Sequence, residues 1–298
     1  MADPEDFGQG GGLSPAADHT VDTQAEVNLG VDATEEDILE SEENIGPKGD
    51  DEAETDEEAL SDLLPSSLPP ALYLVGTPIG NLADITLRAL HILKTVSAIA
   101  CEDTRHSGRL LSHHGIRSRL ISLNEHNEAR RIPDIIAHLQ QGSSVALISD
   151  AGMPTVSDPG QRLVQAVVGA GLRVEGIPGP SAVLTALAAS GLPTTPFYFG
   201  GFLPHKKGQR NTELTHALNR DSTSVYFESP YRIVDTLAMI AEQAPEHRVV
   251  VARELTKKFE EFQRGPARIV LSHYRAKPPK GEITLVIAPR ELPKWITW

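Results

Sequence analysis

The chain has 298 residues and a formal net charge of −14, but this charge is unevenly distributed. The first 70 residues contain 21 acidic side chains and one lysine, Lys48, whereas the remainder carries a net charge of +6. A basic body is compatible with an anionic partner. The single cysteine, Cys101, excludes an intrachain disulfide and disfavours a cysteine-based zinc site. No apolar run reaches the roughly 20 residues that a membrane span needs, and the first residues do not resemble a signal peptide.

Three regions are predicted from composition and pattern. Residues 1–68 are predicted to be a disordered acidic tail, because Asp, Glu, Gly and Ser dominate and Phe7 is the only aromatic residue. Residues 69–196 are predicted to form an N-terminal α/β domain, and residues 197–298 a C-terminal α/β domain.

Short apolar strands alternate with helices after residue 70. In the first domain, strands are predicted at 71–76, 96–101, 119–123, 144–149 and 172–177, with a helix after each. This alternation favours a parallel sheet covered on both faces. Asp84 is expected to cap the first helix. Residues 197–204 are expected to be a crossing into the second domain. There, strands are predicted at 223–228, 248–254, 259–263 and 282–288, and helices near 207–219, 231–243 and 268–274.

Three loops that leave the predicted strands carry unusual sequences. In a parallel sheet, ligands bind beyond the carboxyl ends of the strands. The loop GTPIGNLADIT (76–86) is either a tight turn or a close backbone approach to a ligand, and it matches neither the Walker nor the dinucleotide fingerprint. The loop SDAGMPTVSDPG (149–160) exceeds the usual length of about 2–6 residues yet is stiffened by proline. Within it, Asp158 either faces a ligand or caps the next helix.

The third loop, IPGPSAV (177–183), opens a helix that is apolar nearly all round and is therefore expected to be buried. Backbone N–H groups near Ser181 and Ala182 are candidates for holding a carboxylate or ribose oxygen.

Polar residues also follow the second and third predicted strands, in the segments 101–110 and 124–131. Their acids, bases and cations either converge on the same sheet edge or form surface salt bridges. The histidines are scattered, and the adjacent pair His113 and His114 has poor geometry for one ion. We therefore expect no bound metal.

Together, eight stretches between residues 72 and 288 resemble the tetrapyrrole-methylase superfamily of S-adenosylmethionine-dependent enzymes. They include LYLVGTPIGNLADIT, ACEDTRHSGRLL, SDAGMPTVSDPG, GIPGPSAVLTALAASGL and VYFESPYRI. Within the superfamily, they are most similar to the branch that methylates small-subunit ribosomal RNA. The first 70 residues take no part in this resemblance.

The resemblance implies two α/β domains with S-adenosylmethionine in the cleft between them, and a cytoplasmic homodimer. It implies methylation of the 2′-hydroxyl of a cytidine ribose in the decoding region of 16S rRNA, as free RNA or within the small ribosomal subunit. The residues expected to bind the cofactor, largely through backbone atoms, are Thr77, Pro78, Gly80, Asp150, Ala151, Gly152, Met153, Val156, Ser157, Pro180, Ser181 and Ala182.

Catalysis would then require an acceptor for the ribose proton, because a hydroxyl is a poor nucleophile near neutral pH. The candidates are Asp103, Glu125 and His126, among which the sequence does not choose, while Arg105 is a candidate for clamping a phosphate. The expected RNA contacts are Lys206, Lys207, Arg210, Lys257 and Lys258.

Two other functions remain open at this point. One is methylation of a tetrapyrrole on the same fold, and the other is a non-catalytic role as an RNA-binding assembly factor. The basic run at 205–210 disfavours the first, and the intact Gly-Pro loops disfavour the second.

Overall fold

A computed structural model describes Leu64 and residues 67–298. The expected disordered tail, except for its last residues, lies outside this part of the chain. The described residues belong to one compact unit, and they contain no helix long and apolar enough to cross a membrane. The expected boundary between residues 196 and 197 stays a prediction.

The first sheet is parallel throughout, in the order β3-β2-β4-β1-β5. Its strands are β1 (Leu72–Val75), β2 (Ala98–Cys101), β3 (Leu120–Ser122), β4 (Val145–Ile148) and β5 (Val174–Ile177). The strands β2 and β4 are buried along their whole length, as in sheets covered on both faces. The predicted α/β class is confirmed.

Five helices connect the strands of this sheet or follow it. They are α1 (Leu87–Thr95), α2 (Thr104–His113), α3 (Glu128–Gln140), α4 (Gln161–Gly169) and α5 (Ala182–Ala188). The apolar residues of α1 to α4 build two clusters, one on each face of the sheet, around Tyr73 and Leu72 respectively. Those of α5 pack instead against strands of the second sheet. The sheet therefore holds the carboxyl ends of its strands in fixed positions.

The second sheet is mixed, in the order β6-β7-β10-β8-β9. Its strands are β6 (Phe197–Phe202), β7 (Thr223–Glu228), β8 (Arg248–Arg253), β9 (Glu261–Pro266) and β10 (Ile283–Ile287), with the helices α6 (Lys207–Asn219), α7 (Ile233–Gln243) and α8 (Ala267–Ala276). Only β6 and β7 pair in parallel, whereas β7, β10, β8 and β9 pair antiparallel in that order. The helices bury their apolar side chains against one face of this sheet.

Three sequence expectations need correction. Residues 197–202 are not a crossing but the edge strand β6, because aromatic side chains compensate for its two glycines. Asp84 does not cap α1: Thr86 does, by accepting a hydrogen bond from the Ala89 N–H, while Asp84 ends a short 3-10 turn. The helix α5 is not buried all round, since Leu184 is 55% exposed.

The loops after β1 and β5 touch each other through two glycines. A Cβ atom added to Gly179 would lie 2.7 Å from the Gly76 Cα, and one added to Gly76 would lie 2.8 Å from the Gly179 Cα. Separations this short do not occur for real side chains, so neither position accepts any other residue without a backbone shift. The contact fixes the spacing between the two loops.

This contact predicts a sharp difference between two glycines only three residues apart. Gly179→Ala should lower the free energy of unfolding by about 1–3 kcal/mol, because its methyl group meets backbone atoms that have no room to yield. Gly176→Ala is the matched control, since nothing lies within 4 Å of its added Cβ, and its effect should stay within about 0.5 kcal/mol. Urea denaturation measures both, and equal effects would contradict the proposed packing constraint.

Candidate active site

The loop after β1 is joined to the loop after β4 by a pair of backbone hydrogen bonds. The Thr77 N–H donates to the Gly152 carbonyl at 2.9 Å, and the Gly152 N–H donates back to the Thr77 carbonyl at 3.0 Å. Together with the glycine contact described above, this bridge links the loops after β1, β4 and β5. The first-sheet side of the site is therefore a single connected piece of backbone.

Two hydroxyl groups also stabilise this connection between the loops after β1 and β4. The Thr77 hydroxyl donates to the Ser149 carbonyl at 3.2 Å, and the Ser149 hydroxyl lies 3.2 Å from the Gly152 carbonyl, to which it donates. Thr77 is fully buried. Its side chain therefore supports the loops and is not presented to a ligand.

The loop between β4 and α4 holds an unusual backbone conformation. Thr155 and Ser157 adopt positive φ angles of 73° and 67°, and Gly152 adopts 82°. Left-handed conformations in residues other than glycine cost about 1–3 kcal/mol each and cluster at functional sites. Gly160, not Asp158, is the N-cap of α4. The structure thus excludes Asp158 as the N-cap of α4 and leaves the alternative that it faces a ligand.

A cavity of about 480 Å³ lies between these loops and the second sheet. Eight residues expected to bind the cofactor line it: Asp150, Ala151, Gly152, Met153, Val156, Ser157, Ser181 and Ala182. The other four do not. Thr77 and Pro78 are buried, Gly80 lies in the exposed part of its loop, and Pro180 lines a neighbouring cavity.

The opposite wall of the cavity comes from residues that the sequence reasoning did not single out. They follow or end strands of the second sheet and include Phe202, Phe227, Glu228, Ser229 and Leu255. A usable signal was present, because Glu228–Pro230 follows β7 within a stretch that resembles the superfamily. Local pattern alone, however, does not show that this stretch faces the loops of the first sheet.

Glu228 is held in this wall by a buried network. Its side chain has no exposure and forms an ion pair with Arg232 at 2.6 Å. The carboxylate also accepts hydrogen bonds from the Thr236 hydroxyl at 2.7 Å and the Ser229 N–H at 2.6 Å. A buried carboxylate with this many partners stays fixed in place. Its position makes this wall of the cavity rigid.

Carboxylates gather at the end of the cavity formed by the first sheet. Burial raises the pKa of Asp158 to about 6, helped by the negative charges of Glu102 and Asp150, although a hydrogen bond with Ser149 opposes the shift. Burial also raises the pKa of Glu102, with contributions from Asp150 and Glu125. Both acids thus hold a proton at a higher pH than usual, although Glu102, unlike Asp158, does not line the cavity.

The four catalytic candidates do not line the cavity. Asp103 is the N-cap of α2 and pairs with Arg105, whose hydrogen bonds lower the Asp103 pKa to about 2. Such a weakly basic carboxylate is a poor acceptor for a ribose proton. Glu125 and His126 are exposed in the turn after β3, where the His126 N–H donates to the Asn124 side chain.

The five basic residues expected to contact RNA differ in accessibility. Lys206, Lys207 and Lys258 are exposed. Arg210 is 5% exposed and donates to the Pro204 and His205 carbonyls, so the expectation that it contacts RNA is wrong for this structure.

Lys257, the fifth basic candidate, is engaged by two carboxylates. Its Nζ lies 2.9 Å from Glu254 and 2.7 Å from Glu282.

No group of three or more metal-ligating side chains with suitable geometry occurs in the part of the chain that the structure describes. The expectation of no bound metal stays a prediction.

Comparison with known proteins assigns this chain to a family. The family model described as "Tetrapyrrole (Corrin/Porphyrin) Methylases" matches residues 71–270. A protein of Mesorhizobium japonicum named "Ribosomal RNA small subunit methyltransferase I" is 54% identical over 226 residues, which cover 75% of this chain and 77% of that protein. A protein of Thermotoga maritima with the same name is 46% identical over 74% of this chain and 99% of its own length.

A solved structure extends the comparison to the fold. The uroporphyrin-III-C-methyltransferase of Thermus thermophilus superposes with a TM-score of 0.52 at 23% sequence identity, over 74% of this chain and 94% of that one. This similarity supports the architecture alone. On the family model and the sequence identities, the chain belongs to the tetrapyrrole methylase family and, within it, to the group named ribosomal RNA small subunit methyltransferase I.

Proposed function

We propose that this protein transfers the methyl group of S-adenosylmethionine to the 2′-hydroxyl of a cytidine ribose in the decoding region of 16S rRNA, as a cytoplasmic homodimer. The observation that carries the proposal is the identity of 54% and 46% with two relatives named for methylation of small-subunit rRNA. The tetrapyrrole alternative is supported only by the description of the family model and by the fold, because the solved tetrapyrrole enzyme is only 23% identical.

The cavity fits S-adenosylmethionine in size and chemistry. Its volume of about 480 Å³ is within the range of roughly 300–1,000 Å³ that small-molecule sites occupy. Ile79, Val156 and Leu255 offer apolar surface suited to an adenine ring. Asp150 lines the same cavity, and its buried Oδ1 atom has no hydrogen-bond partner among the described residues. A ligand that donates a hydrogen bond would satisfy this oxygen.

The charges around the cavity suit the same ligand. S-adenosylmethionine carries a sulfonium, an ammonium and a carboxylate, so its net charge is positive, and its sulfonium supplies an activated methyl group. Asp150 and Asp158 line the cavity, and carboxylates in a partly buried site attract a cation more strongly than they do in water. The charge of Glu228 is already paired with Arg232. The protein's own task is then to position the reacting groups, since orientation alone contributes about 7–11 kcal/mol to such reactions.

Some of the candidate proton acceptors and RNA contacts remain part of the proposal, and others are set aside. Glu125 and His126 stay as candidates for the general base, whereas the lowered pKa of Asp103 argues against it. Lys206, Lys207 and Lys258 are exposed, so their charges are available to phosphates. We place the RNA on this accessible set rather than on Arg210 or Lys257.

A methylation assay tests the proposed function directly. Small ribosomal subunits from a bacterial strain lacking its own relative of this protein should gain one methyl group on a cytidine ribose when incubated with the protein and S-adenosylmethionine. Mass spectrometry of nuclease fragments identifies the nucleotide. Methylation of a base, or of no nucleotide, would contradict the proposal.

Filling the cavity should block the cofactor without unfolding the protein. Ala182 lines the cavity at the start of α5, whereas Leu184, two residues later, is 55% exposed and does not line it. Ala182→Trp should weaken S-adenosylmethionine binding at least about tenfold, which corresponds to about 1.4 kcal/mol, while Leu184→Trp should leave it unchanged. Titration calorimetry gives the affinities and circular dichroism the folding control. Equal affinities for both variants would place the cofactor elsewhere.

Cofactor binding should strengthen as the pH rises from 5 to 7. Over this range Asp158, with its pKa raised to about 6, loses its proton and adds a negative charge beside a cationic ligand. One titrating group changes the affinity by at most about tenfold per pH unit. Asp158→Asn should flatten the profile, and the exposed helical control Asp134→Asn should not. A profile that persists in Asp158→Asn would assign the dependence to another group.

A further inference from the structure

A second cavity of about 450 Å³ adjoins the first on the other side of Ile79, which lines both. It lies between the loop after β1, the loop after β5 and the segment that follows β8. Its walls include Asp84, Thr86, Pro178, Pro180 and Thr256. We call it the Asp84–Thr256 groove. Apart from Ile79 and Pro180, which are assigned to the cofactor, none of its lining residues has a ligand-binding role so far.

Two polar atoms in this groove lack partners. Asp84 Oδ2 and Thr256 Oγ1 are both buried and form no hydrogen bond with any described residue. The hydroxyl of Thr86, also in the walls, is already engaged because it accepts a hydrogen bond from the Ala89 N–H at 3.1 Å. A buried polar atom without a partner costs about 1–3 kcal/mol. Both residues line this one groove, so a ligand that reached the two oxygens would remove both costs.

The backbone around Thr256 is held in a conformation that needs support. Thr256 has a φ angle of 65° and Glu254 one of 52°, both in the left-handed region that costs about 1–3 kcal/mol for such residues. The Thr256 N–H donates to Glu260 at 2.6 Å, and Lys257 bridges Glu254 and Glu282. The ion pairs and the hydrogen bond therefore keep this segment rigid.

The segment that follows β8 also packs closely against the loop after β1. A Cβ atom added to Gly80 would lie 2.5 Å from the Lys257 side chain and 3.0 Å from the Thr256 Oγ1 atom. Gly80 thus lets the two walls of the groove approach closely. Lys257, which the sequence suggested as an RNA contact, instead builds the wall beside Gly80.

Exposed groups suited to a nucleotide follow Thr256 in the same segment. Phe259 is 65% exposed, and the Lys258 ammonium lies 5.7 Å from the centre of its ring. Nucleic-acid bases stack on exposed aromatic rings, and lysines near them contact phosphates. The groove supplies acceptors for hydroxyl groups, and the segment beside it supplies groups for a base and a phosphate.

From this arrangement we infer that the Asp84–Thr256 groove binds a ribose of the RNA substrate beside the nucleotide that receives the methyl group. Asp84 Oδ2 accepts a hydrogen bond from one ribose hydroxyl, and Thr256 Oγ1 pairs with a second ribose oxygen. The shared wall at Ile79 puts this ribose next to the cavity assigned to the cofactor. The identity of the RNA in this inference rests on the proposed function. The preference for ribose over deoxyribose does not depend on it.

The preference for ribose over deoxyribose provides the test. The full chain is titrated with a fluorescent 16S decoding-region RNA oligonucleotide and with its DNA counterpart. The unmodified protein should bind the RNA more tightly by at least about tenfold, since a ribose hydroxyl removed from a polar site leaves buried atoms unpaired. Asp84→Asn and Thr256→Val should each reduce this ratio several-fold, whereas the surface control Asp134→Asn should keep it.

Cofactor affinity separates the possible outcomes. Titration with S-adenosylmethionine should give the same affinity in all four proteins. A loss of cofactor binding in Asp84→Asn equal to the loss of RNA binding would assign the groove to the cofactor and overturn the inference, as would an unchanged RNA-to-DNA ratio in both groove variants. If the ratio responds as expected but small subunits are not methylated, the proposed function fails and the ribose site stands.

Discussion

The site depends on one constraint, the close approach of three loops at the carboxyl edge of a parallel sheet. Gly76 and Gly179 touch backbone to backbone, and Thr77 pairs with Gly152 through two hydrogen bonds. Separate loops after neighbouring strands would move independently, but these contacts tie them into one wall. Binding through backbone atoms requires such rigidity, because a backbone donor has no rotamers with which to adjust.

Rigidity on the opposite wall has a different origin. There the buried Glu228–Arg232 ion pair holds the end of β7, and Arg232 and Arg210 each donate to the Pro204 carbonyl. Arginine suits this task because its planar group forms several hydrogen bonds in fixed directions. Arg210 and Arg232 thereby fix the segment before α6, so the exposed Lys206 and the first residue of α6, Lys207, are attached to a rigid support.

Charge is distributed in a way that matches two different ligands. The cavity is lined by carboxylates, and the raised pKa of Asp158 reflects burial together with its acidic neighbours. Outside it, the described part of the chain lies in the region whose sequence is net positive. A cationic small molecule and a polyanion would therefore be drawn to separate parts of the same surface, which is what a transfer between them requires.

The sequence by itself determined the α/β alternation, the limits of most strands and the three loops, because these follow from local hydrophobic pattern and from proline and glycine placement. Sequence pattern did not predict the edge strand β6, because two glycines interrupt its apolar run. It also predicted Asp84 as the cap of α1, whereas Thr86 is the cap. Only the tertiary structure decided which side chains are free. Arg210 and Lys258 are both basic residues in or beside lysine runs of the sequence. Arg210, however, is buried against carbonyl groups, whereas Lys258 is exposed. The pairing of Asp84 with Thr256 across one groove likewise depends on contacts between residues more than 170 positions apart, and local pattern carries no information about contacts at that separation.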